Sequence, residues 1–189
     1  MSFNKHFDLE GKHAFLSPSK RTWLRYSKEQ LRDIYASSQA VARGIKLHAI
    51  AKDLISEGIK VRGSKQTFAA FVNDAIGYGM TPEQVLYYSK NCFGTTDAIF
   101  YKDGVLRISD LKTGTTQTHM EQLEIYAALF MLEYERIFGV KPANTKTILR
   151  IYQSDDVVEE EPEPDKIEAI MDSIREKDVW LDEIAEEMD

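Results

Sequence analysis

At 189 residues, 43% hydrophobic and 29% charged, the chain can bury a sizeable core unaided, and its one cysteine excludes an intramolecular disulfide or a four-cysteine iron-sulfur cluster. No apolar run is long enough to span a bilayer, the first five residues lack a signal-peptide start, and without a Gly-x-x-x-x-Gly-Lys-Ser/Thr loop any motor must come from another chain. The net charge of −7 opposes nucleic-acid binding only until it is divided: residues 1–65 hold 13 Lys/Arg against 6 Asp/Glu, residues 66–152 hold 8 against 9, and residues 153–189 hold 3 against 16.

The basic third comes first. Ser17-Pro18-Ser19 predicts a helix start with Ser17 as N-cap and Pro18 in the first turn. Lys20, Arg21, Arg25, Lys28 and Arg32 follow, interleaved with Trp23 and Tyr26. Cations track phosphates, and aromatic faces stack on exposed bases, so this segment is a candidate DNA contact. The alternative is a short helix docked by Trp23 and Leu24, with the cations merely solvated. Residues 37–57 predict a second helix, in which His48 shares a side with Val41 and Ile45. Residues 65–79 predict a third, buried through Phe68, Phe71, Val72 and Ile76 and ended by Gly77 and Gly79. Thr81-Pro82-Glu83 then reads as a turn into Val85-Leu86-Tyr87-Tyr88, and Cys92 as a small buried residue beside a strand.

Residues 96–101 and 105–110 alternate as strands around Asp103-Gly104, the dipeptide favoured where a two-residue hairpin needs positive φ twice. With those two residues as the loop, Asp97 falls opposite Asp110, their Cβ atoms about 5 Å apart. Period-two alternation puts Ile99, Tyr101, Leu106, Ile108 and Lys112 on the same face. Two carboxylates about 4 Å apart near a surface repel by about 4 kcal/mol at an effective dielectric of 20, so a cation belongs between them. Convergent carboxylate oxygens suit Mg²⁺ or Mn²⁺, with Lys112 placed to orient or deprotonate a water. A surface salt-bridge cluster is the plain alternative.

Thr113-Gly114-Thr115-Thr116 breaks the strand, and residues 120–138 predict a long helix. Gln122 and Tyr126 project from one side of it, and Leu123, Ala127, Phe130 and Tyr134 form the stripe facing a sheet. Residues 145–153 predict a further strand by alternation and β-branched content. From residue 154 the chain reads as an acidic, proline-bearing linker, then a helix with Ile167, Ile170, Met171, Ile174, Leu181, Ile184 and Met188 at helical spacing and Trp180 beside them. That helix either folds back on its own core, acidic face outward, or docks on a partner or over the basic surface.

Gly44-x-x-x-His48, Gly94-x-x-Asp97, Asp110-x-Lys112 and Gln122-x-x-x-Tyr126, in that order over roughly residues 14–153, resemble the RecB-type branch of the PD-(D/E)XK nucleases, especially small stand-alone phage exonucleases. The resemblance implies an α/β (α+β) fold, a restriction-endonuclease-like core with a central mixed sheet flanked by helices. It divides the chain into a nuclease domain over 1–153, including the basic N-terminal region, and an acidic linker with its helix over 154–189. It implies that His48, Asp97, Asp110 and the Leu111 backbone carbonyl ligate Mg²⁺ or Mn²⁺, with no iron-sulfur cluster. Lys112 would position or activate the attacking water, while Gln122 and Tyr126 hold the site and the DNA backbone. Thr96 stands where the superfamily's proline would be, and Asp110 where many members carry Glu. The expected activity is metal-dependent DNA hydrolysis, as an exonuclease in phage recombination, repair or end processing. A structure-specific or restriction-like endonuclease and a non-catalytic DNA-end-binding scaffold are the alternatives. The expected partners are DNA and a recombinase or other replication or recombination protein. No membrane is expected, a homo-oligomer is allowed, and the expected location is the cytoplasm, that of a bacterial host if the protein is phage-encoded.

Overall fold

The computed structural model describes residues 7, 14–63, 66–114 and 119–188. The first five residues, Lys65 of the expected third helix, and Thr115 and Thr116 of the expected strand break lie outside the described residues. The chain divides into two compact units, Met1–Arg43 and Gly44–Asp189.

In the first unit, Pro18–Arg25 is a 3-10 helix rather than an α-helix. Ser17 precedes it without capping it: its hydroxyl lies 2.8 Å from that of Ser19, and its carbonyl accepts the Trp23 indole N–H at 2.9 Å. Leu24 is 72% exposed and docks nothing. Helix α1 spans Lys28–Ser56, starting well before the expected residue 37. Its start is a reciprocal cap: the Gln30 N–H donates to the Ser27 hydroxyl and the Ser27 N–H to the Gln30 side chain, satisfying two otherwise orphaned donors. Ser37 and Ser38, at the expected start, lie inside the helix, Ser38 donating back to the Tyr35 carbonyl at 2.8 Å.

The second unit is built on a five-stranded mixed sheet of order β1-β2-β3-β4-β5. Its strands are β1 Thr81–Ser89, β2 Cys92–Lys102, β3 Val105–Lys112, β4 Lys146–Gln153 and β5 Asp156–Glu160. The first three form an antiparallel meander, β3 and β4 are parallel, and β5 returns antiparallel. Parallel neighbours need a crossover, supplied here by α3, Glu121–Phe138. The other helices are α2, Thr67–Tyr78, and α4, Pro164–Met188. The fold class is therefore α+β with a mixed sheet flanked by helices, as the resemblance implies.

The Asp103-Gly104 turn has φ of +51° and +77°, and the strands beside it pair Lys102 with Val105 through to Ala98 with Ser109, the expected register. One face of the sheet buries Ile99, Leu106, Ile108, Leu149 and Ile151 against Leu123, Ala127 and Phe130 of α3. The opposite face buries Ala98, Leu111 and Tyr152 with Ala51 and Ile55 of α1 and Phe71, Val72 and Ala75 of α2. Helix α2 runs through Gly77 and ends at Gly79, whose φ of +66° only a residue without Cβ adopts freely. Phe68 and Ile76, expected in its buried stripe, are only half-buried. Cys92 lies in β2, half-buried instead of buried.

The acidic stretch after residue 154 departs from expectation. Asp156–Glu160 pairs with β4 as an edge strand, its side chains mostly exposed. Backbone pairing needs no apolar core of its own, and charge on an edge strand discourages pairing with another chain. Helix α4 folds back on α3 along its first half, burying Ile167 and Met171 in the core with Ile170 and Ile174 packed beside them. Lys166 on α4 pairs with Glu124, a carboxylate only 1% exposed on α3. The boundary expected after residue 153 is thus crossed by core packing, while Trp180, Leu181, Ile184 and Met188 stay exposed. Among the described residues no helix is long and apolar enough to cross a membrane.

Candidate metal centre

The site lies in the second unit, where α1, β2, β3 and α3 each deliver part of one chain of polar contacts. The β2–β3 ladder stops at Ala98 and Ser109, one step before Asp97 and Asp110. There the Asp97 side chain takes over: one carboxylate oxygen accepts the Leu111 N–H at 2.7 Å, and the other lies 3.2 Å from His48 Nδ1. The N–H and C=O of one strand residue point to the same side, so the Leu111 carbonyl faces the β2 edge as well.

Asp110 is 5% exposed. Lys112 Nζ stands 3.1 Å from its Oδ1 and 2.9 Å from its Oδ2, yet Oδ2 receives no hydrogen bond of acceptable direction. Burial, and next the charge of Asp97, raise the proton affinity of Asp110 above that of an ordinary aspartate, despite the opposing pull of Lys112 and His48. The hydrogen bond that His48 donates to Asp97 raises that of His48, against burial, which lowers it. Asp110 and His48 therefore both hold a proton more readily than the free side chains do, Asp110 first because it is buried.

Lys112 Nζ also donates to Gln122 Oε1 at 2.8 Å, and Gln122 Nε2 lies 3.4 Å from the Tyr126 hydroxyl. His48, Asp97, Asp110, Leu111, Lys112, Gln122 and Tyr126 are thus brought together. Lys20, Arg21, Trp23 and Arg25 lie in the 3-10 helix of the other unit, with Lys28 and Arg32 on the first turns of α1. Those five cations are exposed, and Trp23 is half-buried.

Two glycines are required by close approach. A Cβ on Gly44 would meet Thr113 Oγ1 at 2.8 Å, so the bare glycine lets α1 lie against the end of β3 and presents His48 one turn later. A Cβ on Gly94 would meet the Tyr126 ring at 2.8 Å. Replacing Gly94 with Ala is expected to displace Tyr126 and cost about 1–3 kcal/mol by overpacking. A lowered melting temperature with altered Tyr126 ring resonances checks this.

Glu83, which the sequence assigned to a turn, belongs to the centre. It lies inside β1, and its carboxylate, a His48 ring nitrogen and an Asp97 oxygen all fall within 4.8 Å of one another. The available signal was the β1–β2 register, since Pro82 pairs with Ala98 and Gln84 with Thr96, leaving Glu83 across from Asp97. Period-two alternation also fails in this stretch: Gly94 and Ile99 both face α3, although they lie an odd number of positions apart. The slip falls where Asp97 sits, so the single shared face inferred from strict alternation does not run through it. The register does not shift across it, so no residue is added to either strand; the irregularity on β1 is the φ of +50° at Glu83.

Residues 83–154, from Glu83 to just past β4, match a family model described as a protein of unknown function (DUF2800). No curated protein and no solved structure matches the chain.

Proposed function

We propose that this protein is a metal-dependent deoxyribonuclease that hydrolyses DNA phosphodiester bonds, acting as an exonuclease on a RecB-type PD-(D/E)XK core. The observation that carries the proposal is the convergence of His48, Asp97, Asp110, Lys112, Gln122 and Tyr126, drawn from four elements, into one connected cluster. A salt-bridge cluster has no need of an imidazole on one carboxylate and a glutamine-tyrosine pair beyond the lysine.

The donor types suit Mg²⁺ or Mn²⁺: carboxylate oxygens suit both and the imidazole favours Mn²⁺, and the acid whose oxygen falls with His48 and Asp97 within 4.8 Å is Glu83, while Asp110 stands beside them on Lys112. His48, Asp97, Asp110 and the Leu111 carbonyl would hold the ion, which when bound supplies Lewis-acid stabilisation of charge developing on the phosphate. Lys112, fixed between Asp110 and Gln122, orients the attacking water and offsets phosphate charge. Gln122 and Tyr126 fix the lysine's direction and bind the DNA backbone beside the scissile bond. The basic residues of the first unit supply sequence-independent attraction for DNA.

The test is to incubate end-labelled linear DNA and closed circular DNA with Mg²⁺ or Mn²⁺, using wild type and Lys112→Ala. Loss of linear DNA alone, slowed by roughly 10²-fold or more in the variant, is the expected result. Nicked circles would make the protein an endonuclease. Metal-independent persistence of both substrates would sink the proposal and leave a DNA-binding scaffold.

A further inference from the structure

Glu83 has features that a surface glutamate in a strand does not need. Its φ is +50°, in the left-handed region that a non-glycine side chain seldom occupies. It is one of the few β1 residues missing from the ladder, together with Asp97 across from it. It is half-buried, and no lysine or arginine pairs with it among the described residues. Yet its carboxylate is brought within 4.8 Å of both a His48 nitrogen and an Asp97 oxygen, so two negative groups share one small volume with one imidazole.

The row is wider than the pair. By register Glu83, Asp97 and Asp110 stand side by side on β1, β2 and β3, three acids across three adjacent strands. Asp110, at one end, is already engaged by Lys112. Asp97, in the middle, spends one oxygen on the Leu111 N–H and turns the other toward His48. Glu83, at the far end, is aimed at that same oxygen and imidazole. Asp110 Oδ2 is buried, and the Lys112 ammonium 2.9 Å away reaches it without a hydrogen bond of acceptable direction.

We propose that Glu83 is a direct ligand of the cation held by His48 and Asp97, completing a set of one nitrogen and two carboxylate donors on the β1 side of the centre. The inference rests on the metal-site reading above and adds a ligand to it. An imidazole nitrogen beside two carboxylates binds a first-row divalent ion more readily than it binds Mg²⁺, so the set takes Mn²⁺ in preference to Mg²⁺.

The experiment is Mn²⁺ titration of the full chain, read by electron paramagnetic resonance of free Mn²⁺ and by the Mn²⁺-induced rise in melting temperature. Wild type, Glu83→Gln and Asp97→Asn are compared without DNA. Glu83→Gln is expected to weaken Mn²⁺ binding by about tenfold or more while the metal-free protein still melts cooperatively. Wild-type affinity in Glu83→Gln, with binding lost in Asp97→Asn, overturns the role of Glu83 and leaves the metal centre standing. Failure of wild type to bind Mn²⁺ overturns both. Should Glu83→Gln not fold, Glu83→Asn decides in the same way, because asparagine tolerates positive φ and carries no charge.

Discussion

Asp110→Asn is expected to abolish metal-dependent DNA hydrolysis and at the same time to raise the melting temperature of the metal-free protein. The two effects have one cause. Asp110 is almost fully buried, and burial together with the charge of Asp97 raises its proton affinity above that of a free aspartate, even with Lys112 alongside. A carboxyl whose folded-state proton affinity is raised favours the fold most below the ordinary aspartate pKa, and that advantage falls as pH rises through the folded value. At about pH 7 the ionised side chain therefore works against the metal-free fold. Asparagine keeps an oxygen for the Lys112 ammonium and removes the repulsion from Asp97.

Melting in a chelator at about pH 7 and about pH 3.5 checks the sign, since the gain should be present at the first and shrink at the second. The Mn²⁺-induced rise seen in wild type should be lost in the variant, and hydrolysis should fall by roughly 10²–10⁴-fold. A variant less stable than wild type in chelator would mean that the Asp110–Lys112 pair, rather than a cation, is what the buried acid is for. Stability given up at a functional site is the usual trade.

The hairpin was legible because its two determinants are local. Asp103-Gly104 fixes the turn, and the turn fixes the register that brings Asp97 and Asp110 within one residue of the last paired position. His48, Gln122 and Tyr126 were legible only as spacings, since what joins them to the strands is tertiary: Gly44 against Thr113, and Gly94 beneath Tyr126. Glu83 was not legible from alternation, because the irregularity that aims it breaks the period on which such a reading depends. Pro82 and Glu83 look like a turn, and only pairing with β2 turns them into strand. The start of α1 was misplaced for a different reason. Ser27 and Gln30 carry the capping signal and Leu31, Ile34 and Tyr35 follow at helical spacing, a stripe passed over because the segment's cations and aromatics read as a DNA contact. The acidic stretch shows the reverse case: its composition reads as a linker, yet backbone pairing makes Asp156–Glu160 a strand, while the helix beyond it folds back on the core through Ile167 and Met171, one of the two readings its spacing allows.

Truncation of the tail is expected to give opposite results according to where the chain is cut. Ending at Gln153 removes β5 and both Ile167 and Met171, each worth about 2–5 kcal/mol as a core side chain. It also uncovers the face of α3 that α4 packs against, including Glu124, which loses its Lys166 partner and becomes exposed to water. Even allowing for non-additivity, the loss rivals the about 5–15 kcal/mol that holds a domain folded, so this protein should show no cooperative melting transition. Ending at Arg175 instead keeps Ile167, Ile170, Met171 and Ile174 on the core, with Arg175 still 3.8 Å from Glu135. What goes is mostly exposed: Trp180, Leu181, Ile184 and Met188, and polar contacts from Ser89, Lys90 and Asn91 to Asp178 and Asp182. Surface contacts of that kind are worth about 0–1 kcal/mol each, so the shorter cut should fold. It also removes seven Asp/Glu against one Lys, bringing the net charge from −7 to −1. If this acidic end opposes DNA, the shortened protein should bind DNA more tightly at low salt, and the gain should shrink as salt screens it. Equal binding at every salt concentration would assign the distal half of α4 no part in DNA binding and make its exposed apolar residues, rather than its charge, the property to explain.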